Sequence, residues 1–296
     1  MTSTKKILIT GKKSYIGASV KEWLMRFKQH YIVDKICVKG DSWRDEDFSS
    51  YDTIFHVAGI AHSDAGETTE ETKSLYYKIN TDLAIEVAKK AKLEGVRQFI
   101  FMSSMIVYGK SLPFGRVKRI TKDTVPSPDN IYGDSKLQAE VGLDSLRSSC
   151  FQIAIIRPPM VYGKGSKGNY PRLAKVAKKL PLFPAVDNER SILHIDNLCE
   201  FIRLVIDNGA DGVFFPQNEE YVTTSELVAE IAAVHGKRIR MTRVFTPFLK
   251  LFSNRGSLVS KVFGSLSYDM ELSEYCGDYR VRNFKESIEL TEGVEK

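Results

Sequence analysis

The sequence predicts an α/β fold: a doubly wound parallel sheet followed by a smaller C-terminal lobe. Three observations carry that reading. Short apolar runs alternate with longer amphipathic stretches over most of residues 1–160. The runs are rich in Ile, Val and Phe without polar alternation, so both faces of each strand are buried, as in a parallel sheet covered by helices. The first run opens directly into a turn bearing Gly11 and Gly17, and then into a helix.

The elements follow in order. KKILITG is a strand, and Ile16 to Phe27 a helix with Val20, Trp23, Leu24 and Phe27 on one face. Ile32 to Val38 and Thr53 to Ala58 (TIFHVA) read as strands. Asn80 to Leu93 is helical, with Leu83, Ile85, Val87, Ala88 and Ala91 as its apolar positions. VRQFIFMSS is a strand, Ser135 to Leu146 a helix, and FQIAIIRP another strand. In the second half, residues 163–190 hold Gly, Pro and many Lys and Arg; SILHIDNLCEFIRLVI is a strand passing into a helix, and Ser225 to His235 is a further helix. Residues 245–275 read as loop-rich, and no linker separates the halves.

Composition narrows the function classes. With 43% hydrophobic and 27% charged residues the chain is neither disordered nor fibrous. Cys37, Cys150, Cys199 and Cys276 form no C-x-x-C pair, which argues against a zinc site or a dense disulfide framework and for a reducing compartment. The N-terminal apolar stretch is too short for a signal peptide, and no apolar run reaches the ~18–20 residues that span a bilayer. The protein is therefore expected in the cytoplasm. A net charge of +6 and a pI near 8.9 fit nucleic acid, an acidic membrane surface or a phosphate-bearing small ligand, and composition does not choose among them.

Two motifs carry chemistry. Strand KKILIT runs into Gly11-Lys-Lys-Ser14-Tyr15-Ile16-Gly17 and a helix start, an arrangement whose backbone N–H groups and positive helix end suit a dinucleotide pyrophosphate. About 20 residues past Gly17, where an acid holds the adenosine ribose, stands Cys37, followed by Lys39 and Asp41. Asp41 is placed to contact ribose or adenine, while Lys39 and Arg44 would favour a 2′-phosphate, so NAD and NADP both remain open. The second motif is Tyr132-Gly-Asp-Ser-Lys136, 28 residues after Ser104 at a strand end. At i and i+4 the Tyr and Lys share a helix face. A phenol of pKa ~10 becomes a base near neutrality only if its anion gains about 4 kcal/mol. A neighbouring ammonium and a positive nicotinamide ring supply it, and Ser104 can hydrogen-bond the substrate oxygen.

These motifs, with Phe55-His-Val-Ala58-Gly59, Asn80, PSPDNIYGDSKLQAE, RPPMVYGKGSKGN and Arg190-Ser-Ile-Leu-His194-Ile-Asp196, resemble an extended short-chain dehydrogenase/reductase of the NAD-dependent epimerase/dehydratase group, which acts on nucleotide sugars. The resemblance implies a Rossmann domain over 1–160 and a substrate-binding lobe over 161–296, with the chain free to cross between lobes. Ser104, Tyr132 and Lys136 would be catalytic, with Tyr132 as acid/base and Lys136 holding the nicotinamide ribose. Gly11, Ser14, Tyr15, Ile16 and Gly17 would line the pyrophosphate of NAD or NADP, Ser14 standing in the middle glycine slot. Ala58 and Gly59 would lie beside the cofactor, and Asn169 and Arg190 would hold the diphosphate of a UDP-linked sugar. A homodimer through the helices near Asn80–Leu93 and Ser135–Leu146 is implied as well.

Departures from the pattern narrow the reaction. Met105 and Ile106 follow Ser104 where 4,6-dehydratases carry Asp-Glu, so that chemistry is not expected. Arg157-Pro-Pro-Met160 puts Met in a slot that many epimerases fill with Asn. The preferred reading is a nucleotide-sugar 4-epimerase acting through a 4-keto sugar. A one-way 4-ketoreductase or 4-dehydrogenase is the alternative, and a non-catalytic dinucleotide sensor the third. The basic cluster Lys164, Lys167, Arg172, Lys175, Lys178 and Lys179 reads first as a solvated helix face, with attraction of a nucleotide diphosphate as its functional alternative. Nucleic acid is not expected, for want of aromatic interleaving. Among the five histidines no zinc-like spacing appears, so no metal is expected. His56 and His194 read as core residues; for His62, just after AGIA, facing the cofactor or substrate is the secondary reading.

Overall fold

Lys5–Thr10 (β1) is the strand around which the first half is wound. It is followed by Tyr15–Leu24 (α1), Tyr31–Ile36 (β2), Thr53–His56 (β3), Glu70–Tyr76 (α2), Leu83–Leu93 (α3), Gln98–Met102 (β4), Arg119–Ile120 (β5), Ile131–Asp144 (α4) and Gln152–Ile156 (β6). Met160–Tyr162 (β7), Asn169–Lys179 (α5), Leu182–Pro184 (β8), Ile192–His194 (β9), Ile195–Asp207 (α6), Gly212–Phe214 (β10), Thr224–Val234 (α7), Arg240–Thr242 (β11), Ser267–Tyr268 (β12) and Phe284–Glu292 (α8) complete the chain order. The structure is a computed structural model and describes residues 4–61, 69–112, 115–245, 247 and 262–293.

Six strands form one sheet in the order β10-β6-β4-β3-β1-β2, every neighbouring pair parallel. The chain steps one way from β1 to β2 and then returns past β1 to β3. That reversal opens a crevice at the carboxyl ends of β1 and β3, the usual ligand position of a doubly wound sheet. The inner apolar runs are buried: Ile7, Ile9, Ile54, Phe55, Phe99, Ile100, Phe101, Ile153 and Ile156 have no exposed surface, whereas β2, at the sheet edge, alternates and leaves Ile32 exposed, contrary to the expectation of two buried faces.

The chain does not divide at a single point near 160. Residues 1–109, 126–158 and 199–215 form one compact unit; 110–125, 159–198 and 216–296 form the other. The second unit has its own core, in which Tyr162, Tyr170, Phe183, Val222 and Ile231 pack with Ile288 of α8. Much of the stretch expected to be loop-rich, including 248–261, lies outside the described residues, as does His62.

One helix starts earlier than its sequence pattern suggests. The periodicity beginning at Asn80 is continued N-terminally by α2, and the two are joined through a π-helical turn over Tyr77–Asp82. Asn80 therefore lies inside a continuous helical run and not at its opening. A π-turn inserts one extra residue per turn and re-aims a side chain inward, and Asn80 is completely buried.

His56 ends β3 fully buried between Phe99 and Phe101, with ring centroids at 5.7 and 6.0 Å. Its Nδ1 shares a 2.9 Å hydrogen bond with the Thr10 hydroxyl, and its Nε2 has no partner. Burial drives its pKa down to about 3, and the Lys136 charge adds to that. The unfolded chain takes up this proton near pH 6.5, so the stability that neutral His56 contributes is complete above pH 6.5 and is lost as pH falls towards 3. His56→Phe should therefore lose about 2 kcal/mol less than the native chain between pH 7 and pH 5 in urea titrations; an equal loss would contradict the assignment.

Candidate active site

At the end of β1 the backbone of Gly11 adopts φ +91, and a Cβ there would lie 3.0 Å from the Ala58 nitrogen and 3.1 Å from its Cα. Glycine is needed on both counts. Ser14, by contrast, has φ −67 and ψ 132, an extended conformation open to any residue, and its Oγ accepts from Gly17 N–H at 3.2 Å to cap α1. This explains why serine is accepted in a glycine slot. A Cβ on Gly17 would meet Val57 and Ile9 side chains at 2.9 and 3.0 Å, so this glycine lets α1 pack onto the sheet. Tyr15 and Ile16 form the first turn of α1 between them. A close-packed glycine cradle before the positive end of a helix fits a dinucleotide pyrophosphate.

Asp41 lies at the start of a short 3-10 turn, well exposed and ion-paired with Arg44. The same guanidinium forks onto Glu86 at 2.5 and 2.7 Å. Arg44 is thus held by two carboxylates, and Cys37 stands exposed just past β2.

Beyond β3, Ala58 and Gly59 follow the strand end. A Cβ on Gly59 would meet Asn80 Oδ1 at 3.0 Å and Lys136 Nζ at 3.4 Å. Asn80 accepts from Ile60 N–H at 2.9 Å and donates to the Ile60 carbonyl and Ser135 Oγ, both at 3.0 Å. Through these bonds the π-turn ties the strand-end loop to α4.

Helix α4 is capped by Asn130, whose Oδ1 accepts from Gly133 N–H at 2.9 Å. It comes so close to the turn after β4 that a Cβ on Gly133 would stand 2.7 Å from the Ile106 carbonyl oxygen. That approach brings Tyr132 near enough to Ser104 for the serine side chain to act on the phenol. Ser104 also caps the turn Met105–Tyr108, accepting from Ile106 N–H at 3.3 Å. Burial pushes Tyr132 up to about 12, the Ser104 side chain pulls it back, and neighbouring Tyr76, with ring centroids 6.4 Å apart, raises it again.

One turn on, Lys136 donates to the Met102 carbonyl at 2.8 Å and sits 4.5 Å from the centre of the Phe101 ring. Burial lowers it to about 8, and Glu140 opposes that shift. The ammonium is thus aimed at the ends of β3 and β4, beside Gly59. A further turn on, buried Glu140 accepts from Ser103 and from the forked guanidinium of Arg157, which donates at 3.1 and 2.6 Å to Glu140 and the Tyr108 hydroxyl. Sequence reasoning passed over Gly133, Glu140 and Arg157; the i, i+4, i+8 spacing of Tyr132, Lys136 and Glu140 is the signal that could have found Glu140.

Asn169 and Arg190 belong to the other unit. Asn169 is exposed as the first residue of α5. Arg190 exchanges backbone bonds with Val222 at 3.1 Å, and its guanidinium donates to the Val262 carbonyl at 3.2 Å. Burial lowers it to about 10. It lines a small cavity with Met160, Leu173 and Leu227.

The parallel sheet, the glycine cradle and a Ser-Tyr-Lys group at the strand ends define an enzyme of the extended short-chain dehydrogenase/reductase class, on a Rossmann-like fold. Comparison with known proteins gives the family: residues 7–215 match the NAD dependent epimerase/dehydratase family, to which the chain belongs. A "UDP-glucose 4-epimerase" of Vibrio cholerae is 31% identical over 90% of this chain and 88% of its own. An "N-acetyl-alpha-D-glucosaminyl-diphospho-ditrans,octacis-undecaprenol 4-epimerase" of Escherichia coli O157:H7 is 28% identical over 74% of this chain and 66% of its own. The solved structure of a UDP-N-acetylglucosamine 4-epimerase from Bacillus cereus shares the fold, with a TM-score of 0.76 at 17% identity over 98% of this chain and 99% of that one.

Two outcomes are expected. Gly133→Ala forces α4 off the Ile106 carbonyl, and turnover should fall at least about ten-fold, because misplacing a catalytic group by about 1 Å is that damaging; unchanged kcat would contradict the role. Arg157→Leu leaves Glu140 buried without its cation, and urea unfolding should show a loss of about 3–5 kcal/mol.

Proposed function

We propose that the protein is a nucleotide-sugar 4-epimerase that holds NAD and acts on a UDP-linked sugar. The observation that carries the reading is the close approach of the start of α4 to the turn bearing Ser104, which sets Tyr132 beside that serine, with Lys136 one turn on beside Gly59. Bound NAD supplies the acceptor and donor for the hydrogen at the sugar C4. Gly11, Ser14, Tyr15, Ile16 and Gly17 would hold its pyrophosphate, and Ala58 and Gly59 would lie alongside. Asp41 reaches its adenosine end. The engagement of Arg44 by Asp41 and Glu86 supports NAD over a 2′-phosphorylated form.

Tyr132 takes the proton from the sugar 4-hydroxyl and returns it after the 4-keto sugar has turned over. Ser104 donates to the same oxygen, and Lys136 orients the ribose. The raised pKa of Tyr132 keeps it protonated in the ligand-free site, so its basicity arises only once positive charge is placed beside it. Buried Met105 and apolar Ile106 offer no acid or base for dehydration. Asn169 and Arg190 would bind the diphosphate, as the family motif suggests, and the names of the V. cholerae and B. cereus proteins favour a UDP sugar. Exposed Leu93 and Val141 on α3 and α4 support pairing of two copies through those helices.

Incubation with UDP-galactose or UDP-N-acetylgalactosamine and no added cofactor should yield the 4-epimer, and Tyr132→Phe should lower kcat by about 10²–10⁴-fold. Full activity in that variant would overturn the assignment. Stoichiometric consumption of NAD(P)H on a 4-keto sugar, without epimerisation, would establish the reductase reading instead.

A further inference from the structure

Two segments of the chain are rich in positive charge and hold no acid. Ten of its 43 Lys and Arg fall within residues 164–182 and 235–245, which contain no Asp or Glu; the remaining 33 stand against all 37 acids. Apart from these two segments the protein is acidic.

The fold brings the two segments together inside one unit. Strand β8 runs parallel to β11 with Leu182 opposite Arg240. Arg240 N–H donates to the Pro181 carbonyl at 2.9 Å, and the Lys237 ammonium donates to the Lys178 carbonyl. Helix α5 turns Tyr170, Ala174 and Ala177 inward and leaves Arg172, Lys175 and Lys179 exposed. Acids stand within reach of some of these cations: Arg243 faces Asp187 at 3.5 Å, and Lys178 faces Glu292 at 2.6 Å.

Large apolar side chains stand among these cations. Leu180 is 48% exposed, Leu182 43%, Val244 73% and Phe245 40%. Leucines and valine held out in water beside lysines do not suit a nucleic acid, which offers phosphates and stacking faces but no hydrocarbon. They suit a bilayer, where apolar side chains enter the acyl boundary while Lys and Arg stems extend along it to place their charge among lipid phosphates. We infer that the surface formed by α5, β8 and β11 docks peripherally on an anionic lipid bilayer. No helix among the described residues is long and apolar enough to cross one. Juxtaposed cations attract anionic lipid additively and within about a Debye length, so the attachment is reversible by salt.

Sedimentation of the full chain with vesicles tests this. At about 0.1 M salt the protein should pellet with vesicles of equal parts phosphatidylglycerol and phosphatidylcholine and stay in solution with phosphatidylcholine alone. Lys175→Glu combined with Lys179→Glu and Arg240→Glu should lower partitioning at least about ten-fold. Leu182→Ser combined with Phe245→Ser should also weaken it at unchanged charge, which attraction between charges alone would not do. Circular dichroism and thermal melting verify that each variant is folded. Equal binding to neutral vesicles, undiminished binding by both folded variants, or capture of RNA or DNA without vesicle binding would overturn the inference.

Discussion

Two buried charges on one helix face organise the site. Lys136 and Glu140 are 5% and 4% exposed, and an ion that far from water needs partners in good geometry. The partners are fixed objects at the strand ends: the Met102 carbonyl for Lys136, and Ser103 and Arg157 for Glu140. Only one rotation and one axial position of α4 satisfies both. Tyr132 lies one turn before Lys136 on the same face, so the arrangement that satisfies the charges also delivers the phenol to Ser104. Gly133 permits the approach by omitting a Cβ where the Ile106 carbonyl sits. The placement of Tyr132 beside Ser104 and the satisfaction of the buried charges are therefore a single constraint.

The same economy appears at the nucleotide turn. Gly11 is glycine because its φ is positive and the Ala58 backbone lies against it; Gly17 because α1 touches the sheet there. The position between them has ordinary backbone angles, and Ser14 uses its hydroxyl to cap its own helix. A glycine pattern is thus a set of separate demands, and one of the three slots carries no demand that a serine fails to meet.

Much of this was legible in the residues alone. Runs such as ILIT, IFHV and FIFM announce parallel strands because they leave no face for water, and the spacing of Ser104, Tyr132 and Lys136 singled out residues that the fold brings to the strand ends. What escaped depended on distant partners or weak local signals. Strand β10 is three residues long, below any periodic pattern. Helix α2, EETKSLY, buries only Tyr76, so its polarity hid it, and the π-turn behind it has no sequence period of its own. Arg157 meets Glu140 only because β6 lies beside β4, and Arg44 meets Glu86 only across the loop after β2. The excess of +6 was visible at once, but the meeting of two acid-free basic segments on one surface required the pairing of β8 with β11.

We propose that Ser104, Tyr132 and Lys136 serve a reversible oxidation at the sugar C4. The most direct test is to supply a UDP sugar deuterated at C4 and to analyse the product by mass spectrometry. A 4-epimer that keeps its deuterium is expected, because the C4 hydrogen leaves and returns without meeting solvent. Loss of the label to water, or no interconversion at C4, would contradict it.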